Sequence, residues 1–188
     1  QRQMCIRDRI PIDIVVDSKV SFYALCALMF SVGISVGNDP QTLKNFRSLN
    51  PRLIFLPIMT ILGTLAGSAA VSLILTHRSL TDCLAVGSGF GYYSLSSIFI
   101  TEYKGAELGT IALLANISRE ILTLLAAPLL VRWFGNLAPI SAGGATTMDT
   151  TLPIITRTAG QQFVVVSIFH GFVVDFSVPF LVTLFCSI

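Results

Sequence analysis

Charge is what this sequence has least of. Only 12% of its 188 residues are Asp, Glu, Lys or Arg, roughly half of what a soluble domain carries. Hydrophobic residues make up 53% and the mean hydropathy is +0.78. Together these exclude a soluble globular domain and point to an integral membrane protein. The net charge of +2 is small and scattered, which argues against a nucleic-acid partner. Cysteines are few: Cys5, Cys26, Cys83 and Cys186 form no CxxC pair and no even spacing, so neither a disulfide framework nor a thiolate metal site is expected. Three of them lie in apolar runs, where a free Cys acts as a small hydrophobe. The two histidines, His77 and His170, are too far apart in sequence to imply a metal cluster. No nucleophile has a base beside it and there is no aspartyl pair, so no enzyme and no cofactor are expected. A signal-peptide core is lacking too. Residues 1–9, QRQMCIRDR, are polar and unlike the apolar chain after them; they read as non-native sequence. Residues 10–188 are then a transmembrane transporter domain, expected to be missing an N-terminal portion.

What is present is a series of apolar runs long enough to cross a bilayer, which takes about 20 residues each as helix. After an interfacial lead-in at 10–18, spans are predicted at about 19–37, 53–76, 109–133 and 163–185. The loop 38–52 between the first two holds Lys44, Arg47 and Arg52 against Asp39, which places it in the cytoplasm by the positive-inside rule. In the second span, GTLAGSAA holds Gly63, Gly67 and Ser68, small residues four apart that make a face for close helix packing. Further loops are expected at 101–107 and 134–139, with a turn at Gly160.

Two stretches break the apolar pattern. In VGSGFGYYSLSS (86–97), Gly87, Gly89 and Gly91 fall within five positions, at roughly 1 kcal/mol each inside a helix. A third span starting at Ser79 is therefore expected to unwind here, with Ser79 and Asp82 as its capping box. SAGGATTMDTTLP (141–153) surrounds Asp149 with hydroxyls and closes at Pro153; a discontinuous helix or re-entrant hairpin is expected. Unwound backbone at membrane depth is tolerated only against protein or a wet cavity. Gly89, Gly91, Gly143 and Gly144 should be non-helical and present N–H groups to a polar cavity lined by Ser94, Ser96, Thr146 and Thr147. The fold class is thus all-α and polytopic, with four to six transmembrane segments, two of them glycine-broken, as in inverted-repeat transporters.

The span 109–133 carries Asn116, Ser118, Arg119 and Glu120 near its middle. Charges at that depth cost roughly 2.5–3.5 kcal/mol each on insertion scales and usually face a cavity or a partner. Asn116, Glu120 and Thr123 share one helical stripe, with Arg119 beside it. Glu120 is the candidate to meet a transported cation. Arg119 is expected to pair with another acid, Asp149 or Asp175. The last span adds His170 and Asp175 as further candidates for a substrate or ion site.

SGFGYYSLSS (88–97), ITEYKG (100–105), NISREI (116–121), GGATTMDTTLPIITRTAG (143–160) and IFHGF (168–172) stand in an order that resembles the bacterial lysine exporters of the LysO type, and LMFSVGISVGNDPQTLK (28–44) resembles that family's repeat-start motif. The resemblance covers almost everything after residue 18, as the C-terminal transmembrane portion of such an exporter. It implies export of L-lysine and toxic lysine analogues across the bacterial inner membrane in exchange for protons. It also implies that Glu120 is one of two intramembrane acids needed for export. The other lies in an N-terminal half with no counterpart here, so a small membrane protein is an expected partner. Another cationic amino acid, a Na⁺/H⁺ exchanger on the same scaffold, or a non-transporting membrane subunit are the alternatives.

Overall fold

The computed structural model describes Phe30, Ile34 and residues 51–188 apart from Thr76. The expected first span, the lead-in and nearly all of the basic loop 38–52 lie outside the described residues.

The described chain is helical with no strand. A short 3-10 turn (Pro51–Phe55) leads into α1, Leu56–Ile74; then come α2, Leu80–Gly87, and α3, Tyr93–Lys104. The long helix α4 runs Ala106–Phe134. Beyond it lie α5, Ala138–Gly143, a 3-10 segment Gly144–Met148, α6, Leu152–Ala159, and finally α7, Val164–Ser187. Three segments are long and apolar enough to cross a membrane: Leu53–Ile74, Ala106–Phe134 and Gln161–Ser187. They match three of the predicted spans to within a few residues.

The other two helical pairs are too short to cross. At about 1.5 Å per residue, α2 and α3 reach about 12 and 18 Å, against about 30 Å of hydrocarbon. The feet of this pair lie together, with Lys104 Nζ 3.6 Å from Asp82 Oδ1. So α2 and α3 form a re-entrant hairpin, where the sequence led us to expect one unwound span. Ser79 caps α2 as predicted, its hydroxyl accepting the Asp82 N–H at 3.1 Å. Most of the expected loop 101–107 is helix instead. Gly105 alone, at φ +95°, links α3 to α4; a single left-handed residue suffices because the hairpin returns to the end where α4 begins. Arg78 and Glu107 form an ion pair at that same end.

The pair α5–α6 makes a second hairpin from the opposite end. Ile140, Ile155, Ala159 and Val166 pack in one buried cluster, with Leu53, Val131 and Phe163 against it. That brings both feet of this hairpin beside the start of the first span, the end of α4 and the start of the last span. The two tips meet in the interior, where Ala145 N–H donates to the Phe90 carbonyl at 2.9 Å. The order is therefore span, hairpin, span, hairpin, span, with the hairpins inserted in opposite directions.

Close approach of the tips dictates their residues. Gly144 has φ +65°, and a Cβ there would run into the Phe90 carbonyl; one on Gly91, at φ +95°, would lie 3.1 Å from the Gly143 carbonyl. Phe90 takes a positive φ of 45° while wholly buried. Gly143, by contrast, is helical (φ −64°, ψ −34°), against expectation, as the last residue of α5. Of the predicted packing face on α1, Ser68 meets α2, where a Cβ on Gly87 would run into its side chain, whereas a Cβ on Gly63 or Gly67 would meet nothing within 4 Å. These contrasts separate two substitutions. Gly144→Ala should cost at least about 1–2 kcal/mol for the left-handed backbone alone, lowering the thermal unfolding midpoint of the purified protein, whereas Gly63→Ala should leave it unchanged.

Candidate functional site

The central helix α4 puts its polar residues where the hairpin tips meet. Its buried positions, Leu108, Gly109, Ala112, Asn116, Thr123 and Ala127, recur at helical spacing and form one stripe. Glu120 is the middle residue of the helix, fourteen from each end (106 to 119 and 121 to 134). It flanks the stripe on one side and Arg119 flanks it on the other; both are partly buried.

Asn116 holds the first hairpin. Its Oδ1 accepts the Gly91 N–H at 2.7 Å, and its Nδ2 donates to the Ala112 carbonyl at 2.8 Å and to Ser96 Oγ at 3.3 Å. Arg119 holds the second. Nε donates to the Ala142 carbonyl at 2.8 Å and Nη2 to the Ser141 carbonyl at 3.1 Å. These are carbonyls at the C-terminal end of α5, where the backbone partial charge is negative. The expected partner acid is not there: among the described residues no carboxylate lies within 4 Å of Arg119. A guanidinium can satisfy itself on backbone dipoles, which sequence spacing does not reveal.

The remaining candidates fall into two groups. Gly89, Gly91 and Gly144 do not offer free N–H groups, since these bond to Val86 O, Asn116 Oδ1 and Ile140 O. The hydroxyls of Ser96, Thr146 and Thr147 bond to the carbonyls of Tyr92, Gly143 and Gly144, inside their own hairpins, and Ser94 is hydrogen-bonded to the Tyr92 side chain. They stabilise the tips, and none of them lines the large cavity beside α4. His170 is buried and bridged, Nδ1 3.3 Å from Thr147 Oγ1 and Nε2 2.9 Å from Thr60 Oγ1, so it ties the second tip to α1. The other group is acidic. Asp175 on α7 is buried, Asp149 at the second tip is exposed, and these two and Tyr92 lie within electrostatic reach of one another.

That cavity, of about 850 Å³, runs between α1, α2 and α4. His77, Arg78 and Asp82 stand at its outer end; Thr64, Asn116 and Arg119 close its inner end, at the hairpin tips. Neither Glu120 nor any residue of the second hairpin lines it.

A family model described as lysine exporter LysO matches residues 6–186. The chain belongs to the LysO lysine exporter family. It is 36% identical over 170 residues to the lysine exporter LysO of Escherichia coli K12, across 90% of this chain and 56% of that protein. It is also 36% identical over 167 residues to a putative lysine exporter of Haemophilus influenzae, across 89% of this chain and 84% of that one. The chain thus spans little more than half the length of its Escherichia coli relative. No solved structure matches it. Within this LysO family chain, sequence reasoning missed Thr60 and Thr64, the α1 hydroxyls that meet His170 and Arg119. Their only sequence signal is the spacing of two threonines four apart in an otherwise apolar span.

The support for the tips is testable. Asn116→Ala leaves the buried Gly91 N–H without an acceptor and should cost about 1–3 kcal/mol. Arg119→Lys replaces a fork with a point charge that cannot reproduce both carbonyl bonds in place, and should also lower the unfolding midpoint in detergent. An unchanged midpoint in both variants would show that the tips are held by other contacts.

Proposed function

We propose that this chain exports L-lysine, and toxic lysine analogues, across the bacterial inner membrane in exchange for protons, and that it is a transporter and not an enzyme. The observation that carries this reading is its membership of the lysine exporter family together with a carboxylate, Glu120, at the centre of the crossing helix. The opposed hairpins support a secondary transport mechanism, because α3 and α6 begin at the tips and bring the positive ends of two helix dipoles to mid-depth. Lysine offers one carboxylate and two ammonium groups. Arg119 Nη1, whose contact to Thr64 Oγ1 is long at 3.4 Å, suits the carboxylate; Glu120 suits an ammonium.

Orientation follows from charge. The end holding Arg132 and Arg157 bears no acid among the described residues, and in the sequence it adjoins the basic loop 38–52. The other end mixes Arg78 and Lys104 with Asp82, Glu102 and Glu107. The first end is therefore cytoplasmic, and the cavity opens to the far side of the membrane.

A companion membrane segment completes the exporter in this reading. The Escherichia coli relative is nearly twice as long as the part matched, and only 11% of the most apolar window of the first described span is buried. In a strain lacking its own exporter, residues 10–188 expressed alone should give no lysine efflux, and co-expression of a small membrane protein supplying the N-terminal half should restore it. Robust efflux from the chain alone would show that no companion is required. In the active assembly, Glu120→Gln should abolish efflux and resistance to toxic lysine analogues while the protein still inserts. Wild-type efflux from that variant would remove Glu120 from the site.

A further inference from the structure

The last span, α7, is the most buried of the three, with 39% of its most apolar window inside the fold against 11% and 17% for the others. Its buried positions include Val166, Ser167, His170, Gly171, Val174, Asp175, Val178 and Val182. Asp175 sits in the middle of that series, on a face that also carries only small or apolar neighbours and one hydrogen-bonded imidazole.

Among the described residues the buried polar side chains are otherwise satisfied. Ser88, Ser96, Thr123 and Ser167 bond to carbonyls of their own helices or turns, and Asn116 and His170 reach across to other elements. Among the described residues, Asp175 Oδ1 is the one buried side-chain oxygen or nitrogen without a hydrogen-bond partner. A carboxylate retained for structure would be expected to have donors around it, because an unpaired buried acceptor or charge is strongly unfavourable. Among the described residues, the groups within electrostatic reach of Asp175 are the Asp149 carboxylate and the Tyr92 phenol. No Lys or Arg forms an ion pair with it among the described residues.

We infer that Asp175 is the carboxylate that carries the exchanged proton, with exposed Asp149 as the group through which that proton reaches it. The step is a simple protonation: the carboxylate takes up one proton to become the neutral acid, and returns to the anion when the proton leaves. As the neutral acid it sits among apolar neighbours without a counter-ion; as the anion it repels Asp149. Proton uptake removes that repulsion, and the proton leaves again when the surroundings of the carboxyl change. Glu120, forward on the central helix, is left to face the substrate. This assignment rests on the reading of the chain as a proton-exchanging lysine exporter.

Two measurements test it, one independent of transport. In lipid nanodiscs, infrared difference spectra recorded across pH should show a protonated-carboxyl band for the wild type that Asp175→Asn lacks and Asp175→Glu shifts. If Asp175→Asn keeps every such band, the assignment is overturned. In proteoliposomes holding the complete exporter assembly, Asp175→Asn should retain lysine–lysine counterflow and lose uphill lysine accumulation driven by a pH gradient. Retention of uphill accumulation would overturn it. An Asp175→Asn protein that unfolds where the wild type and Asp175→Glu do not would show that the carboxyl holds the fold, which also overturns it. A wild-type assembly that moves no lysine refutes the export reading instead, and the spectral result then decides Asp175 by itself.

Discussion

A chain that turns round in the middle of a bilayer must give its backbone polar groups partners, because the surrounding hydrocarbon offers none. Two such turns meet in this protein, and one helix serves both. Asn116 accepts the N–H that the first turn cannot bond within itself, and Arg119 donates to two carbonyls left over where α5 ends. The two residues are three apart in sequence, so they lie nearly one turn apart on the same side of α4. Each tip also supports the other through the Ala145–Phe90 bond. Without the central helix, both hairpins would leave strongly polar backbone unsatisfied at depth.

The glycines follow from that geometry. Backbone-to-backbone approach between tips leaves no room for a Cβ at Gly144 and only a tight fit for one at Gly91, and both adopt positive φ. Gly171 on α7 serves the same end, since a Cβ there would lie 2.7 Å from the Met148 N atom. His170, the residue beside it, locks the second tip to α1 through Thr147 and Thr60. The second tip is therefore pinned on three sides, by α4, α7 and α1, so any motion at the site would have to carry these elements together or break named bonds.

Much of this was legible in the residues. Long apolar runs gave the three crossing helices within a few residues, and runs of glycine among hydroxyls marked both interruptions. Ser79 with Asp82 located the start of α2. Less legible was what the first interruption does to chain direction. An unwound span and a re-entrant hairpin share the same local composition, and the difference lies in whether the feet come together, as Asp82 and Lys104 do. The loop expected at 101–107 failed for the same reason: its polar residues cover an exposed helix end near the feet. The partner of Arg119 was also out of reach, because carbonyls at a helix terminus carry charge that no side-chain pattern records. The hydroxyls of the tips were assigned to a cavity, yet short Ser and Thr side chains bond readily to nearby backbone, and most of these do.

The charge balance at mid-depth has a consequence for what the site can hold. Among the described residues Arg119 is the cation of this region, and its guanidinium is already engaged with the negative end of α5. It therefore does not neutralise the acids nearby. Asp149 and Asp175 lie within electrostatic reach of each other, Glu120 stands at the middle of α4, and none of the three is within ion-pair distance of a described Lys or Arg. Electrostatic repulsion between a buried acid and a neighbouring one is relieved by bound cations or protons. In the reading proposed for this chain, a substrate with two ammonium groups and one carboxylate relieves it by one net charge, and each proton taken up relieves it by one more. In the proposed reading either occupant satisfies the same negative charge, so the binding of one weakens the need for the other.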